Sequence, residues 1–171
     1  MKEDVYISLG SNKGERIKIF RQALLEIRLF SDVLACSPVY ETPPWGFDSS
    51  EPFLNAVIKV QSNLNPKELL EQLLRVEKNH GRHRTAEKEG YEDRSLDLDI
   101  LLYGNRSIND GNLQIPHLRM SERKFILYPL RDIAPEVIHP NSGRTISEIL
   151  RTVKDESHLI KTNYEFGVDL H

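Results

Sequence analysis

Residues 94–103 read Arg-Ser-Leu-Asp-Leu-Asp-Ile-Leu-Leu-Tyr, a segment in which aliphatic residues alternate with two acids. The period of two predicts a half-buried β-strand. The apolar side chains of its predicted inner face are Leu96, Leu98, Ile100 and Leu102. Asp97 and Asp99 share the other face, where Cα atoms at alternate positions lie roughly 6.5 Å apart. Two carboxylates at this spacing can converge on hard cations through their oxygens, which makes the strand a candidate metal site.

The sequence of this strand alone allows a second interpretation of the acid pair. Asp97 and Asp99 would then only solvate the outer face of an amphipathic strand. Aspartate is depleted in β-strands, however, so two aspartates in one strand need a reason. Groups elsewhere in the chain have to distinguish a metal site from a solvated face.

The composition of the chain is that of an ordinary globular protein. Its 171 residues are 39% hydrophobic and 29% charged, enough for one domain with a core of its own. A formal net charge of -3 gives no global positive field, so neither nucleic acid nor a membrane is an expected partner. The single Cys36 excludes an internal disulfide and a cysteine-based zinc site, and no signal core or apolar run of about 20 residues is found. We therefore expect a cytoplasmic location.

The predicted elements follow the order strand, helix, strand, strand, helix, strand. Hydrophobic periodicity places strands near 5–9, 33–40 and 53–61 and a helix near 17–30, all before the acidic strand. A second helix is predicted over residues 66–80, because the preceding cap signature and Gly81 are typical of a helix start and stop. This βαββαβ order predicts an α+β, ferredoxin-like sheet with helices packed on it.

A hairpin and extra helices are predicted at the C-terminal end. Gly104-Asn105 is a typical hairpin turn and predicts that residues 106–108 pair back along the acidic strand. Ser121 is predicted to cap a short helix that ends near Pro129, and a capping box at 145–148 predicts a last helix through about residue 153. We expect one domain over residues 1–153 and assign no structure to the C-terminal tail, residues 154–171.

Two segments carry side chains suited to a flat ligand. In residues 41–47, Pro43 and Pro44 stiffen the backbone beside Trp45, as suits the wall of a binding pocket. Asn55, on the predicted strand 53–61, offers a donor and an acceptor to a planar heterocycle. Each has a structural alternative, since the tryptophan can anchor its loop to the core and the asparagine can be a satisfied polar residue at a sheet edge.

Residues 82–94 are polar almost throughout and predict a long surface loop of the kind that often forms a lid. The loop brings Arg82, Arg84 and Arg94 toward the acid pair. Arginine beside carboxylates is what a magnesium-nucleotide site requires, because the metal and the guanidinium groups share the phosphate oxygens. A solvated charge run remains the alternative for the middle of the loop.

Further polar residues also call for partners. Glu77 lies near the end of the second predicted helix, where the helix dipole disfavours an acid, so we expect it to have a cationic or hydrogen-bonding partner. A second local basic cluster follows the acidic strand; it comprises His117, Arg119, Arg123 and Lys124.

Six motifs resemble, in order and spacing, those of the 6-hydroxymethyl-7,8-dihydropterin pyrophosphokinase family of folate biosynthesis. The motifs are Ser8-Leu9-Gly10-Ser11-Asn12, Tyr40-Glu41-Thr42-Pro43-Pro44-Trp45-Gly46, Phe53-Leu54-Asn55-Ala56, Gly81-Arg82-His83-Arg84, Arg94-Ser95-Leu96-Asp97-Leu98-Asp99-Ile100 and Pro116-His117. Each motif is weak by itself, but six in sequence are specific. The resemblance spans about Val5 to Val153 and implies a pterin pyrophosphokinase domain over residues 1–153.

The resemblance implies transfer of pyrophosphate from the co-substrate ATP to 6-hydroxymethyl-7,8-dihydropterin, with two Mg²⁺ ions held by Asp97 and Asp99. Catalytic roles are implied for Arg82, Arg84, Arg94, Asp97 and Asp99. Pterin contacts are implied for Thr42, Pro43, Pro44, Trp45, Phe53, Asn55 and Phe125. Nucleotide contacts are implied for Glu77, Arg84, Arg94, Ile100, His117 and Arg123. The two small molecules are the expected partners, and a monomer is expected.

The chain departs from the family's pattern at three positions. The usual glutamine of the second helix is Leu74, a tyrosine after the histidine is Leu118, and the tryptophan of the mobile loop is replaced by Glu89. One alternative is therefore a degenerate relative that binds pterin and nucleotide without full catalysis. Another is a ferredoxin-like RNA-binding module, although its aromatic signature is absent and acids occupy the strand face that would meet phosphate.

Overall fold

The computed structural model describes residues 2–42, 51–81 and 95–167. The strands of this part of the chain are β1 Glu3–Ser11, β2 Asp32–Cys36, β3 Tyr40–Thr42, β4 Phe53–Ser62, β5 Asp97–Tyr103, β6 Ile108–Asp110, β7 Leu113–Ile115 and β8 Ile160–Lys161. The α-helices are α1 Arg16–Ile27, α2 Pro66–Asn79, α3 Lys124–Ile133 and α4 Ile146–Thr152, and a single 3-10 turn covers Met120–Glu122.

Most of these strands form one antiparallel sheet. Its order is β5-β1-β4-β3-β8, and β2 also pairs with β4. The central strand β1 places Gly10 opposite Asn55 of β4 on one side and opposite Asp97 of β5 on the other. β6 and β7 form a separate hairpin. The predicted α+β class, a ferredoxin-like βαββαβ sheet with helices packed on it, is confirmed.

The two faces of the sheet are covered by different helices. On one face, alternate residues of β1 and β4 pack with α1 and α2, for example around the fully buried Phe20 and Leu73. On the opposite face, Val57 of β4 packs with Leu127 of α3 and Ile146 of α4. The sheet is therefore enclosed on both sides, and the acidic residues of β5 lie on the face that carries α3.

The start of α2 follows the sequence prediction. Asn65 accepts a hydrogen bond from the Glu68 amide at 2.9 Å, and the Glu68 carboxylate accepts one from the Asn65 amide at 2.9 Å. This capping box satisfies amides that a helix start leaves without partners. Gly81, with φ of 84°, follows the helix in the left-handed conformation that favours glycine.

The inner face predicted for the acidic strand is confirmed for its first three residues and wrong for Leu102. Leu96, Leu98 and Ile100 belong to the core shared with α1 and α2, as their alternation predicts. The pairing of β1 with β5 shifts between Tyr6 and Ile7, so that Leu101 is an extra residue in β5. Because of this bulge, Leu102 does not share the face of Ile100 and packs with Leu101 in the core on the α3 side.

Two other predicted elements differ from the structure. The single strand expected over 33–40 is two strands, β2 and β3, separated where Ser37 hydrogen bonds to Val57 of β4. The hairpin expected at Gly104-Asn105 is also misplaced. The chain does turn there, but residues 106–108 do not pair back along β5; the hairpin is β6–β7, farther along the chain.

The helix predicted after Ser121 begins later and ends later than expected. Ser121 lies inside the 3-10 turn, and α3 starts at Lys124 and continues past Pro129 to Ile133. The capping residue of α4 is Thr145, which accepts a hydrogen bond from the Glu148 amide at 3.2 Å as predicted. Within the part of the chain that the structure describes, no helix combines the length and the apolar character needed to cross a membrane.

Residues 154–167, which we call the C-terminal strap, pass from the start of α3 through the edge strand β8 to the core on the α1 side. Its short strand β8 pairs with β3, and Thr162 donates from its hydroxyl to the Val39 carbonyl at 2.8 Å. Beyond β8, Phe166 is buried against Phe20 with the ring centroids 5.4 Å apart. The strap thus contributes to the core on the α1 side, although an independent domain over residues 1–153 stays a prediction.

Candidate active site

A cavity of about 280 Å³ opens on the α3 side of the sheet, where β1 ends and β4 and β5 begin. Strands form its floor, and the start of α3 and the C-terminal strap form part of its wall. The residues that line it are Ser8, Leu9, Gly10, Thr42, Phe53, Asn55, Asp97, Asp99, Arg119, Glu122, Arg123, Phe125, Ile126 and Asp155.

The floor of the cavity follows from the register of three strands. Gly10 lies between Asn55 and Asp97 in one row, and Ser8 lies opposite Asp99 in the next row that faces the cavity. Neighbouring strands are about 4.8 Å apart. Asn55 and Asp97 therefore flank a strand position that has no side chain, which leaves space between an amide and a carboxylate.

The acid pair fits a Mg²⁺ site completed by substrate. Asp97 and Asp99 are both half-buried and both line the cavity, as their alternation in β5 requires. Among residues 2–42, 51–81 and 95–167, no group of three or more histidine, cysteine, aspartate or glutamate side chains could hold a metal by itself. Mg²⁺ is commonly bound by one or two carboxylates together with phosphate oxygens and water. Two carboxylates are therefore a suitable set of protein ligands.

A polar pair faces the acids across the floor. Asn55 is 7% exposed, and its Nδ2 donates to the Thr42 Oγ1 at 3.0 Å. Its Oδ1 points toward Gly10, since a Cβ placed on that glycine would lie 3.6 Å from this oxygen. The hydrogen bond fixes the orientation of the amide, so its remaining hydrogen-bonding capacity is directed into the cavity.

Aromatic and basic side chains enclose the cavity from β4 and α3. Phe53 and Phe125 are both half-buried and contribute ring surface. The Arg123 guanidinium lies 5.5 Å from the centre of the Phe125 ring, a cation–π distance. At the mouth, Arg119 and Glu122 form an exposed ion pair at 3.4 Å. The cavity thus offers apolar ring surface, two carboxylates and two guanidinium groups.

The C-terminal strap also reaches this wall. The Asp155 carboxylate accepts a hydrogen bond from the Lys124 amide, the first of α3, at 3.0 Å. It also accepts one from the Ser157 amide at 2.8 Å. Burial acts to raise the pKa of Asp155, but hydrogen bonds from Ser157 and Lys124, together with the Lys124 charge, outweigh it and lower that pKa.

Three residues implied by the resemblance do not line the cavity. Glu77 is 1% exposed and accepts a hydrogen bond from the Leu98 amide at 2.8 Å, so it holds β5 between the two aspartates. This bond supplies the partner expected for a helix-end acid. Ile100 belongs to the core on the α1 side. His117 donates its backbone amide to Leu101 at 2.9 Å, and its ring accepts from the Arg119 amide at 3.2 Å.

Several predicted site residues lie outside the described residues. They are Pro43, Pro44 and Trp45 of the proline-rich loop and Arg82, Arg84 and Arg94 of the predicted lid. The site roles of these residues stay predictions.

Some cavity residues had no predicted site role. Ser8, Leu9 and Gly10 were part of a recognised motif, and Arg119 was part of the basic cluster, so a signal for them existed. Glu122, Ile126 and Asp155 had none, because their approach to the cavity depends on how α3 and the strap pack.

Fold and cavity define a class: a ferredoxin-like α+β protein with a cavity, lined by two carboxylates, two phenylalanine rings and two arginines, that suits a small molecule. The sequence profile of the 7,8-dihydro-6-hydroxymethylpterin-pyrophosphokinase (HPPK) family matches residues 6–135. The chain belongs to this family, whose members serve folate synthesis.

Relatives of known name agree over most of the chain. The 2-amino-4-hydroxy-6-hydroxymethyldihydropteridine pyrophosphokinase of Aquifex aeolicus is 40% identical over 84% of this chain and 88% of its own length. The Bacillus subtilis protein of the same name is 39% identical over 92% of this chain and 94% of its own length. The folic acid synthesis protein fol1 of Pneumocystis carinii is 42% identical over 90% of this chain, but the chain spans only 20% of that protein.

A solved structure supports the fold. The wild-type HPPK-DHPS of Plasmodium falciparum superposes with a TM-score of 0.69 at 15% sequence identity, covering 88% of this chain and 44% of that one. At this identity the likeness concerns the fold alone.

Proposed function

We propose that this chain transfers pyrophosphate from ATP to the hydroxymethyl oxygen of 6-hydroxymethyl-7,8-dihydropterin, giving AMP and the dihydropterin diphosphate. The observation that carries the proposal is a single cavity shared by the acid pair, the Asn55–Thr42 hydrogen bond and two phenylalanine rings. Family membership supplies the identity of the two substrates.

We assign the pterin to the end of the cavity that carries the polar pair and the two phenylalanine rings. We assign recognition of the edge of the heterocycle to Asn55 and Thr42 and contact with its faces to Phe53 and Phe125. The buried Asn55 amide favours a heterocycle with matching hydrogen-bonding groups over other ligands. A ligand without such groups would leave the amide unsatisfied, at a cost of about 1–3 kcal/mol. Pro43, Pro44 and Trp45 are proposed to complete this subsite.

The nucleotide half of the cavity lies toward β5 and α3. Asp97 and Asp99 are proposed to hold two Mg²⁺ ions, which supply charge neutralisation on the phosphates and a lowered hydroxyl pKa when bound. Arg123 is proposed to bind phosphate oxygens from α3, and Glu77 to support the acid pair through the Leu98 amide. Ile100, His117, Arg82, Arg84 and Arg94 are proposed to contribute to the nucleotide subsite as the family resemblance implies.

The chain's own part in the reaction is mainly positioning. The hydroxymethyl oxygen attacks the β-phosphorus of ATP, the bond from that phosphorus to the AMP oxygen breaks, and AMP leaves. Asp97 or Asp99 is proposed to accept the hydroxyl proton, because both lie on the cavity face beside the expected nucleophile. Arginine side chains then stabilise the negative charge that develops on the phosphates and help to exclude water.

The setting of the enzyme is also proposed. Cys36, the only cysteine of the sequence, is a free thiol whose pKa burial raises to about 11, so its reactive thiolate form is disfavoured. A free cysteine agrees with the cytoplasm, where thiols stay reduced, and the monomeric state is proposed from the family resemblance alone.

The decisive measurement is AMP release from ATP and 6-hydroxymethyl-7,8-dihydropterin in the presence of Mg²⁺. Asp97→Ala and Asp99→Ala are each expected to lower turnover by at least about 100-fold, since several kcal/mol of charge stabilisation are lost. Asp110→Ala is the matched control, because Asp110 of β6 forms a surface ion pair with Lys67 of α2 and does not line the cavity. Near-normal turnover of either acid-pair variant would remove the metal assignment.

The alternatives predict different outcomes when AMP release is measured together with binding of ligands and of RNA. A degenerate relative would bind a non-hydrolysable ATP analogue and pterin but release no AMP; the departures at Leu74 and Leu118 that suggest it lie outside the cavity lining. An RNA-binding module would bind RNA in a salt-dependent manner, whereas the acids on the strand face argue against such binding.

A further inference from the structure

We propose that Asp155, in the C-terminal strap, is a positioning residue that holds the first turn of α3 and thereby fixes Arg123 and Phe125 in the cavity. The identity of the ligands in this inference rests on the proposed function, but the contacts that carry it do not.

The first contact is made at the peptide between the two cavity residues. Asp155 Oδ2 accepts the hydrogen bond of the Lys124 amide at 3.0 Å, and Lys124 is flanked by Arg123 and Phe125. Both flanking side chains line the cavity and stack on each other at 5.5 Å. A shift of this one peptide therefore moves the guanidinium and the ring together.

The helix depends on a distant residue for this contact. Arg123 occupies the N-cap position of α3, and in the described part of the chain its side chain makes no capping hydrogen bond. Asp155 supplies the acceptor from 31 residues farther along the chain. A carboxylate suits a helix start, because it accepts a charge-assisted bond and lies at the positive end of the helix dipole.

The strap itself is fixed to the sheet and to the core at β8 and beyond it. Asp155 Oδ1 accepts from the Ser157 amide at 2.8 Å, which holds the carboxylate in place. Farther along, Thr162 binds the Val39 carbonyl and Phe166 is buried against Phe20. Asp155 is thus attached to the sheet rather than to a free chain end, and it can restrain α3. The lowered pKa of its carboxyl agrees with a carboxylate that stays charged.

The test compares three variants in the full chain. Asp155→Asn keeps an acceptor for the Lys124 amide but removes the charge, and Asp155→Ala removes both. Glu156→Gln is the matched control, because Glu156 is the exposed neighbour and does not line the cavity. Calorimetry measures the Kd of a non-hydrolysable ATP analogue with Mg²⁺ and the Kd of 6-hydroxymethylpterin, and hydrogen exchange monitors the amides of the first turn of α3.

We expect Asp155→Ala to raise both Kd values by about tenfold, as is typical of coupled contacting residues. Asp155→Asn should have a smaller effect in the same direction, and Glu156→Gln none. Hydrogen exchange at the Lys124 amide should be slowest in wild type, faster in Asp155→Asn and fastest in Asp155→Ala. Because the asparagine variant is isosteric, it carries the test if the alanine variant does not fold.

A double-mutant cycle separates positioning from general loss of stability. In the Arg123→Ala background, Asp155→Asn should change the Kd of the ATP analogue by less than about twofold, because the residue it acts through is gone. Additive effects, or unchanged Kd values and unchanged exchange in Asp155→Asn, would overturn the inference. A wild-type chain that binds both ligands and follows this cycle but releases no AMP would refute the proposed function and support the positioning role.

Discussion

Gly10 leaves open the space between Asn55 and Asp97 in the floor of the cavity. A Cβ placed there would lie 3.6 Å from Asn55 Oδ1 and 3.9 Å from Asp97 Cβ, which are ordinary contact distances. Gly10→Ala should therefore fold normally. Gly10→Leu should weaken binding of 6-hydroxymethylpterin by at least about tenfold, because its added atoms occupy cavity volume that the ligand needs.

Calorimetry with the pterin measures this effect, and thermal unfolding provides the control. The alanine variant is the matched comparison, since a strand glycine replaced by alanine gains about 0.5–1 kcal/mol of intrinsic stability. Equal pterin affinity in wild type and Gly10→Leu would place the ligand elsewhere.

At the scale of single residues, the sequence predicts a site residue where local periodicity places its side chain on a known face of a strand. Asp97 and Asp99 were found as a pair because alternate residues of a strand share a face. Asn55 stood out as an amide on a strand, and the structure places it at the cavity beside Thr42. Asp155 could not be predicted, because its partner Lys124 is distant in sequence and nothing near Asp155 indicates that the two meet.

At the scale of elements, the loop that leads into α4 has its own pH dependence. His139 is buried, and burial lowers its pKa below the ordinary value despite an opposing backbone hydrogen bond. Its Nδ1 accepts from the Asn141 amide at 3.3 Å, which requires the neutral ring. Since the unfolded chain binds this proton more tightly than the folded chain, the contribution of neutral His139 to the free energy of unfolding is fully present above about pH 6.5. That contribution is lost as the pH falls below this value.

His139→Asn should therefore show a shallower loss of stability than wild type between about pH 7 and pH 5. Asparagine keeps an acceptor near the Nδ1 position, so the loop contact can persist without a titrating group. Urea unfolding across this range makes the comparison, with the exposed His158→Asn as the control. Parallel pH curves for wild type and His139→Asn would contradict the assignment.

Elements with strong local signals were predictable, and those that depend on partners were not. The capping box of α2 is local in sequence and was confirmed. Turn residues at Gly104 predicted a turn correctly but could not predict its pairing, because a turn does not specify which strand follows. The bulge at Leu101 was also invisible, since two adjacent leucines are compatible with either face of the sheet.

At the scale of the whole molecule, the C-terminal strap is expected to be part of the folding unit. Phe166 is 1% exposed and packs on Phe20. Phe166→Ala should lower the free energy of unfolding by about 3–5 kcal/mol, the usual cost of removing a buried phenylalanine. Tyr164→Ala, at a residue that is 49% exposed, should change it by no more than about 0.5 kcal/mol.

Urea denaturation of both variants gives the comparison. Similar small effects at the two positions would mean that residues 1–153 form the stable domain and that the strap only lies on it. A large effect confined to Phe166 would extend the folding unit beyond residue 153.

The attachment of α3 by Asp155 also has a consequence for the order of events during synthesis. Translation produces the acid pair, Asn55 and α3 before it produces the strap, so a nascent chain can form the sheet while the start of α3 still has no acceptor. Binding at full affinity, which depends on a held Arg123 and Phe125, would be reached only after residue 155 has left the ribosome. The wall of the cavity is thus completed by the last part of the chain to be made, and a stalled chain that already carries both aspartates would bind its ligands more weakly than the finished protein.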